Sequence, residues 1–195
     1  SIDFSLVESA TPDDRFDYVY SRRLDTEANV ETFLLALAEL RTHEWRAAVI
    51  GSGPAREDAE NTASELRIDD RVDFLGELRE DERIPIFKGA HVFAQTASHE
   101  PFATELLWGL ACGCVGIAEY QADSAAHELV ERKSRLPETR GSLVSTPQEF
   151  ADEIVAAERL DHRTVNSHYE RYDHDHIIDR YVECYENAID DYGFF

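Results

Sequence analysis

The 195-residue sequence predicts an α/β fold, a parallel sheet with helices on both faces followed by C-terminal helices, and three observations carry that reading. Short β-rich runs alternate with helical patterns from position 17 to about 144, the remainder of the chain is helical, and 43% hydrophobic residues suffice for one full core.

The elements follow in order. Residues 17–21 (DYVYS) read as a strand, 29–40 (NVETFLLALAEL) as an amphipathic helix and 45–51 (WRAAVIG) as the next strand. A GSGP turn leads into a polar helix over 55–66. A strand at 71–76 (RVDFLG), a short helix at 81–90 and a strand at 91–96 (HVFAQT) come next. The most hydrophobic helix lies within 97–114 (ASHEPFATELLWGLACGC), with Pro101 expected at its first position, where a missing N–H costs nothing. Residues 114–120, 124–130 and 141–145 then read as strand, helix and last short strand. Beyond them, Thr146, Pro147 and Glu149 have the spacing of a capping box, and 174–188 places Ile177, Tyr181, Cys184 and Ala188 at helical intervals. Residues 1–16, with Thr-Pro-Asp-Asp at 11–14, read as a leading linker, and 17–195 as one globular domain.

Charge narrows the function. Asp and Glu number 41 against 19 Lys and Arg, a formal net charge of -22, and excess carboxylates repel a phosphate backbone, which argues against nucleic acid. Only Lys88 and Lys133 are lysines. An acidic surface with so little lysine fits a protein kept hydrated in molar salt, pointing to a halophile, with an ordinary acidic domain as the alternative. Cys112, Cys114 and Cys184 are an odd count without zinc spacing and read as reduced, buried thiols. No run approaches the roughly 20 apolar residues of a membrane span, and no signal peptide is seen, so the expected location is cytoplasmic, at most at the cytoplasmic face of a membrane. A chain starting at Ser1 without methionine reads as a fragment or a processed chain.

In an open parallel sheet, ligands sit beyond the carboxyl ends of the strands. Three loops lie there: 21–29 (SRRLDTEAN), 51–58 (GSGPARED) and 96–104 (TASHEPFAT). The glycines at 51 and 53 make either a tight turn or a backbone cradle beside a phosphate, since the full dinucleotide pattern is lacking. Arg22 and Arg23 either grip a diphosphate or form a surface pair with Asp25 and Glu27. Glu100 is explained by a carboxylate's preference for a helix N-terminus or by a ligand there.

Together these stretches resemble the C-terminal, donor-binding half of family 4 glycosyltransferases. SRRLDTEANVETFLLALAEL is similar to the Gly-Arg-Leu loop and its helix, and AVIGSGPARED to the Gly-x-Gly-Pro turn. RVDFLGEL resembles the Arg-Val-x-Phe-x-Gly strand, ASHEPFATELLWGLACGCVGIA the Glu-Gly-Phe-Gly helix, and HELV the later Pro-Glu-Leu-Val turn. The resemblance implies one Rossmann-like half of a GT-B fold, preceded by a missing N-terminal domain for an unknown acceptor (glycan, lipid or small molecule), and a divergent enzyme, of halophilic archaeal origin given the charge. It implies a nucleoside diphosphate sugar as donor, as substrate rather than cofactor, and no metal. Glu100 would receive a sugar hydroxyl and Arg23 would stabilise the leaving phosphate, the two catalytic assignments. The amides of Phe102, Ala103 and Thr104 would meet the diphosphate or sugar, and the loop after Phe74, starting at Leu75, would flank the base. Gly53, His99, Glu105 and Trp108 complete the implied donor-binding set. Asp173 and Asp175 are read as solvated surface rather than a metal-binding pair.

The sequence departs from this pattern at informative places. The family's second Glu falls on Trp108, which either closes the ribose pocket and joins the core or stacks on a ligand. The phosphate-binding Lys falls on Ala28, two glycines become Pro101 and Ala103, and a Pro becomes Val115. Glu105 would replace the lost carboxylate only for a shifted ligand. The second functional reading is therefore a non-catalytic binding or scaffold domain descended from such enzymes, with a related GT-B enzyme such as a sugar-nucleotide epimerase as a third.

Overall fold

A computed structural model describes residues 1–130 and 140–192. In chain order the elements are α1 (Phe4–Ser9), β1 (Tyr18–Ser21), α2 (Val30–Glu39), β2 (Ala47–Ile50), α3 (Arg56–Glu65), β3 (Val72–Gly76), α4 (Glu80–Gly89) and β4 (Val92–Gln95). They continue with β5 (His99–Glu100), α5 (Thr104–Ala111), β6 (Val115–Glu119), β7 (Asp123–Ser124), α6 (Ala126–Val130), β8 (Gly141–Val144), α7 (Pro147–Ala157) and α8 (His174–Tyr192), with a 3-10 turn at Ser167–Tyr172 before α8.

Six strands form one parallel sheet in the order β3-β2-β1-β4-β6-β8. The central strands are buried on both faces, which is why Tyr18-Val-Tyr and Ala47-Ala-Val-Ile are continuous apolar runs. Tyr18 and Tyr20 join one core with Phe33, Leu37, Phe150 and Ile154 of α2 and α7. Val19 points the other way, into a second core with Ile84, Phe87, Leu106, Trp108 and Leu110 of α4 and α5. The predicted two-sided α/β sheet is the observed fold.

The chain runs outward from β1 through β2 to β3 and then returns to place β4 on the other side of β1. This reversal opens a crevice at the carboxyl ends of β1 and β4, where the loops after these strands diverge to opposite faces. A second, two-stranded parallel sheet, β5 with β7, forms the rim of the same edge.

Several details add to or depart from the sequence reading. Within residues 1–16, read as a leading linker, Ile2, Phe4, Val7 and Phe16 are buried, and the Lys88 ammonium donates to the carbonyls of Val7 and Glu8 at the end of α1. The hydrophobic helix starts at Thr104 rather than Pro101, because His99 and Glu100 are drawn into the rim sheet and Ala103 takes a left-handed φ of 44°. Cys112 and Cys114 are buried, and burial pushes the Cys112 thiol up to about 12, but Cys184 is exposed, as is Tyr181, so that stripe of α8 faces solvent rather than core. Asp173 is more than solvated surface: it accepts from the amides of Phe4 (2.8 Å) and Asp175 (2.9 Å), tying α1 to the start of α8. At α7 the Thr146 hydroxyl caps the Glu149 amide (3.1 Å) as expected, whereas the Glu149 carboxylate reaches the amide of Ser145 (2.7 Å), one residue before the cap.

Candidate functional site at the β1–β4 crevice

The mouth of the crevice is held by contacts between loops that are distant in sequence. The Asn29 side-chain amide donates to the Thr96 carbonyl (3.2 Å) and to Glu119 Oε2 (2.8 Å), and the Thr96 hydroxyl returns a bond to the Asn29 carbonyl (2.7 Å). The amide of Ser98 donates to the Glu27 carbonyl (2.9 Å). These bonds join the exits of β1, β4 and β6. Burial raises the Glu119 carboxyl above its ordinary range, against the opposing hydrogen bonds from Thr32, Gln121 and Asn29.

Across this mouth lies Arg22. Its Nε donates to Glu100 Oε2 (3.0 Å), Nη1 to Asp25 Oδ1 (2.6 Å) and to the Arg23 carbonyl (3.1 Å), and Nη2 to the His99 carbonyl (3.0 Å). At Asp25 partial burial acts upward, and the Arg22 guanidinium outweighs it, holding the carboxyl below its usual value. Arg23, the next residue, is exposed and pairs with no carboxylate among the described residues.

Beneath them, Glu105 in the first turn of α5 accepts from the Ser21 hydroxyl (2.6 Å) through Oε2 and from Arg83 Nη2 (3.0 Å) through Oε1. Both oxygens of Glu105 are thus engaged. Ala28 and Trp108 are buried, so neither position offers a side chain to the mouth. Gly53 has a φ of 150° and a Cβ there would overlap the Leu24 carbonyl, as one at Gly51 would overlap that of Arg22. These two glycines let the loop after β2 press against the loop after β1 and support it. Gly109 does the same for α5, where a Cβ would meet the Phe93 ring of β4.

The sequence profile of the family described as glycosyl transferases group 1 matches residues 1–171. The chain belongs to the group 1 glycosyl transferases. Among curated proteins, no sequence matches. Solved structures share the fold of this glycosyl transferase chain. Anabaena Alr3699/HepE, in complex with UDP, superposes with a TM-score of 0.75 at 20% identity, covering 96% of this chain and 56% of that one. The pneumococcal O-GlcNAc transferase GtfA, in complex with UDP and GlcNAc, gives 0.74 at 16% identity, covering 97% and 38%. Sucrose-phosphate synthase from Thermosynechococcus elongatus gives 0.73 at 21% identity, covering 96% and 51%. The glycosyl transferase chain therefore spans about half the length of these proteins or less.

Within this glycosyl transferase fold, the residues singled out from sequence are brought together unevenly. Glu100, His99 and Glu105 surround the Arg22 side chain and the exit of β1. Arg23 and Phe102 stand at the surface, Phe102 with 82% of its area exposed. Ala103 and Thr104 mark the start of α5, whose N-terminus carries no side-chain cap. Leu75 lies half-buried at the end of β3, Gly53 serves the loop contact, and Trp108 lies in the core. Sequence reasoning missed Arg22 as the partner of Glu100, and Arg83 and Ser21 as the partners of Glu105. The only available signal was the doubled arginine after β1, because the sequence separation of 78 between Arg22 and Glu100 is spanned by topology alone.

Proposed function

We propose that this chain is the donor-binding half of a glycosyltransferase that takes a nucleoside diphosphate sugar and passes its sugar to an acceptor held by a further domain. The observation that carries the reading is the convergence of Arg22, Arg23, Glu100 and the uncapped start of α5 at the strand-order reversal of a group 1 glycosyl transferase fold. Two of the similar structures, those of HepE and GtfA, are complexes with UDP, which supports a nucleotide as ligand. In the reaction, the bond between the sugar's anomeric carbon and the diphosphate breaks, one to an acceptor hydroxyl oxygen forms, and the proton of that hydroxyl is lost to the released diphosphate or to water. Glu100 Oε1 has no partner among the described residues and is available to accept from a sugar hydroxyl. Charge growing on the leaving diphosphate meets the free Arg23 guanidinium and the first amides of α5, with no metal required. Ala28 and Trp108 stand where the resemblance puts the family's Lys and second Glu, and both are buried, so neither position offers a charge to phosphate or ribose and the donor pocket is altered.

Calorimetric titration with UDP, GDP, ADP and CDP, and with their sugar conjugates, tests the reading. Binding of one pair, weakened by about 1.5–3 kcal/mol in Arg23→Ala, is the expected outcome. The buried Ala28 and Trp108 favour a second reading, a non-catalytic domain, and this gains the field if no nucleotide of the panel binds.

A further inference from the structure

Arg22 stands where the family pattern has the glycine of Gly-Arg-Leu, and the structure gives it a task that glycine cannot perform. Its side chain is 13% exposed. Nε is spent on Glu100, Nη1 on Asp25 and the Arg23 carbonyl, and Nη2 on the His99 carbonyl with Glu27 Oε2 at 3.9 Å. A guanidinium has five N–H groups in a fixed fork. With four donated and the remaining one on the side of Glu27, Arg22 has nothing left for an anionic ligand, in contrast to exposed Arg23. All its partners belong to two segments, 23–27 after β1 and 99–100 in the rim strand β5. The side chain therefore works as a clasp between these segments.

The clasp treats the two oxygens of Glu100 differently. Oε2 accepts from Arg22, whereas Oε1 accepts from no described residue. A glutamate held by one oxygen loses most of its rotamer freedom while its other oxygen stays open to a donor. We propose that Arg22 is a positioning residue: it fixes the Glu100 carboxylate so that Oε1 accepts a hydroxyl of the donor sugar, and it contributes nothing directly to the nucleotide. This rests on the nucleotide-sugar reading given above and adds to it a division of labour, Arg23 for the phosphates and Arg22, through Glu100, for the sugar.

The test separates the two ligands' parts. Parent, Arg22→Gln, Glu100→Gln and the double variant are titrated by calorimetry with UDP and UDP-glucose and with GDP and GDP-mannose, and their melting is followed in parallel. For the pair that binds the parent, the ratio of the nucleotide's Kd to that of its sugar conjugate measures what the sugar adds. That ratio is expected to fall about tenfold in Arg22→Gln and in Glu100→Gln, and no further in the double variant, as for two residues acting on one contact. Kd for the bare nucleotide is expected to stay within about twofold, whatever happens to the melting temperature. Arg22→Lys, which keeps the charge but not the fork, gives an intermediate ratio and replaces Arg22→Gln if that variant fails to fold. Equal weakening of nucleotide and conjugate, an unchanged ratio, or additive losses in the double variant overturn the clasp while leaving the nucleotide-sugar reading intact. A parent that binds none of the four ligands, nor any other nucleotide or conjugate of the UDP, GDP, ADP and CDP panel above, overturns that reading instead, and the clasp's sugar role with it.

Discussion

Trp108 and Glu119 show how single side chains shape the crevice. Trp108 lies in the core formed by α4, α5 and β4. A glutamate at 108 would restore the family's acceptor in sequence, yet it would place a carboxylate in that buried apolar core and leave a void where the indole was. Trp108→Glu is expected to cost at least about 3–5 kcal/mol, the range for losing a large aromatic, with unpaired charge in addition. Thermal unfolding followed by circular dichroism checks this, and a variant as stable as the parent would mean that position 108 opens to solvent. Glu119 carries the opposite sign of effect from Asp25 and Asp173. Its folded-state pKa is raised by burial, so the folded protein holds that proton more tightly than the unfolded chain. Its contribution to stability improves as pH falls through the raised value and is least favourable at neutral pH. The carboxyls of Asp25 and Asp173, held low in the fold, contribute stability above their ordinary pKa that is lost as pH falls through the depressed values. Glu119→Gln should therefore melt higher than the parent at pH 7, with the gap closing as pH falls toward the ordinary carboxylate value. A gap that is constant with pH would show that its ionisation is not involved.

At the scale of elements, α8 and α5 mark where the sequence was readable and where it was not. The six strands of the main sheet and α2, α3, α4 and α7 follow from local pattern, because a two-sided sheet needs continuous apolar runs and its covering helices need one apolar stripe. The capping threonine of α7 was readable for the same local reason. The start of α5 was not, since Pro101 is acceptable at a first helical position and only pairing with β7, more than 20 residues ahead, draws 99–100 into a strand. α1 was hidden because six residues give too little periodicity, and its hold on Lys88 and Asp173 is tertiary. For the site, sequence located the three loops and Glu100, while the ion-pair partners that orient it come from packing. α8 inverts the usual rule, since its regular apolar stripe, Ile178, Tyr181, Val182, Tyr185 and Ile189, is exposed. Because those turns bury little, ending the chain after Arg180 is expected to leave the melting temperature within about 2 °C while reducing helical signal. A drop of more than about 5 °C would show that the outer turns of α8 support the fold.

Over the whole molecule, stability also depends on charge. A net charge of -22 on one compact domain sets carboxylates against each other, and raising salt from 0.1 M to 1 M shortens the screening length from about 10 Å to about 3 Å. The melting temperature is expected to climb across that range of KCl. A flat profile would remove the case for adaptation to molar salt. Exposed pairs such as Arg79 with Asp81 weaken under the same screening, whereas Arg22, mostly buried and hydrogen-bonded to two carboxylates, keeps its geometry. The mouth is thus held by contacts that salt affects least.

The rim sheet gives the crevice a measurable clock. β5 and β7 pair over only two residues each, and the amides of Ser98 and Ala125 are bonded to the Glu27 and Glu100 carbonyls at either side of Arg22. So short a ladder opens far more often than β1 or β4 at the centre of the main sheet, and its amides should take up deuterium together, well before those of 92–95. A molecule bridging the two segments would slow that uptake at Ser98 and Ala125 in one step and leave the central strands unchanged. Mass spectrometry of the peptides that carry these two amides then reports occupancy for any compound, whether or not it is a nucleotide, and turns an unassigned crevice into its own detector.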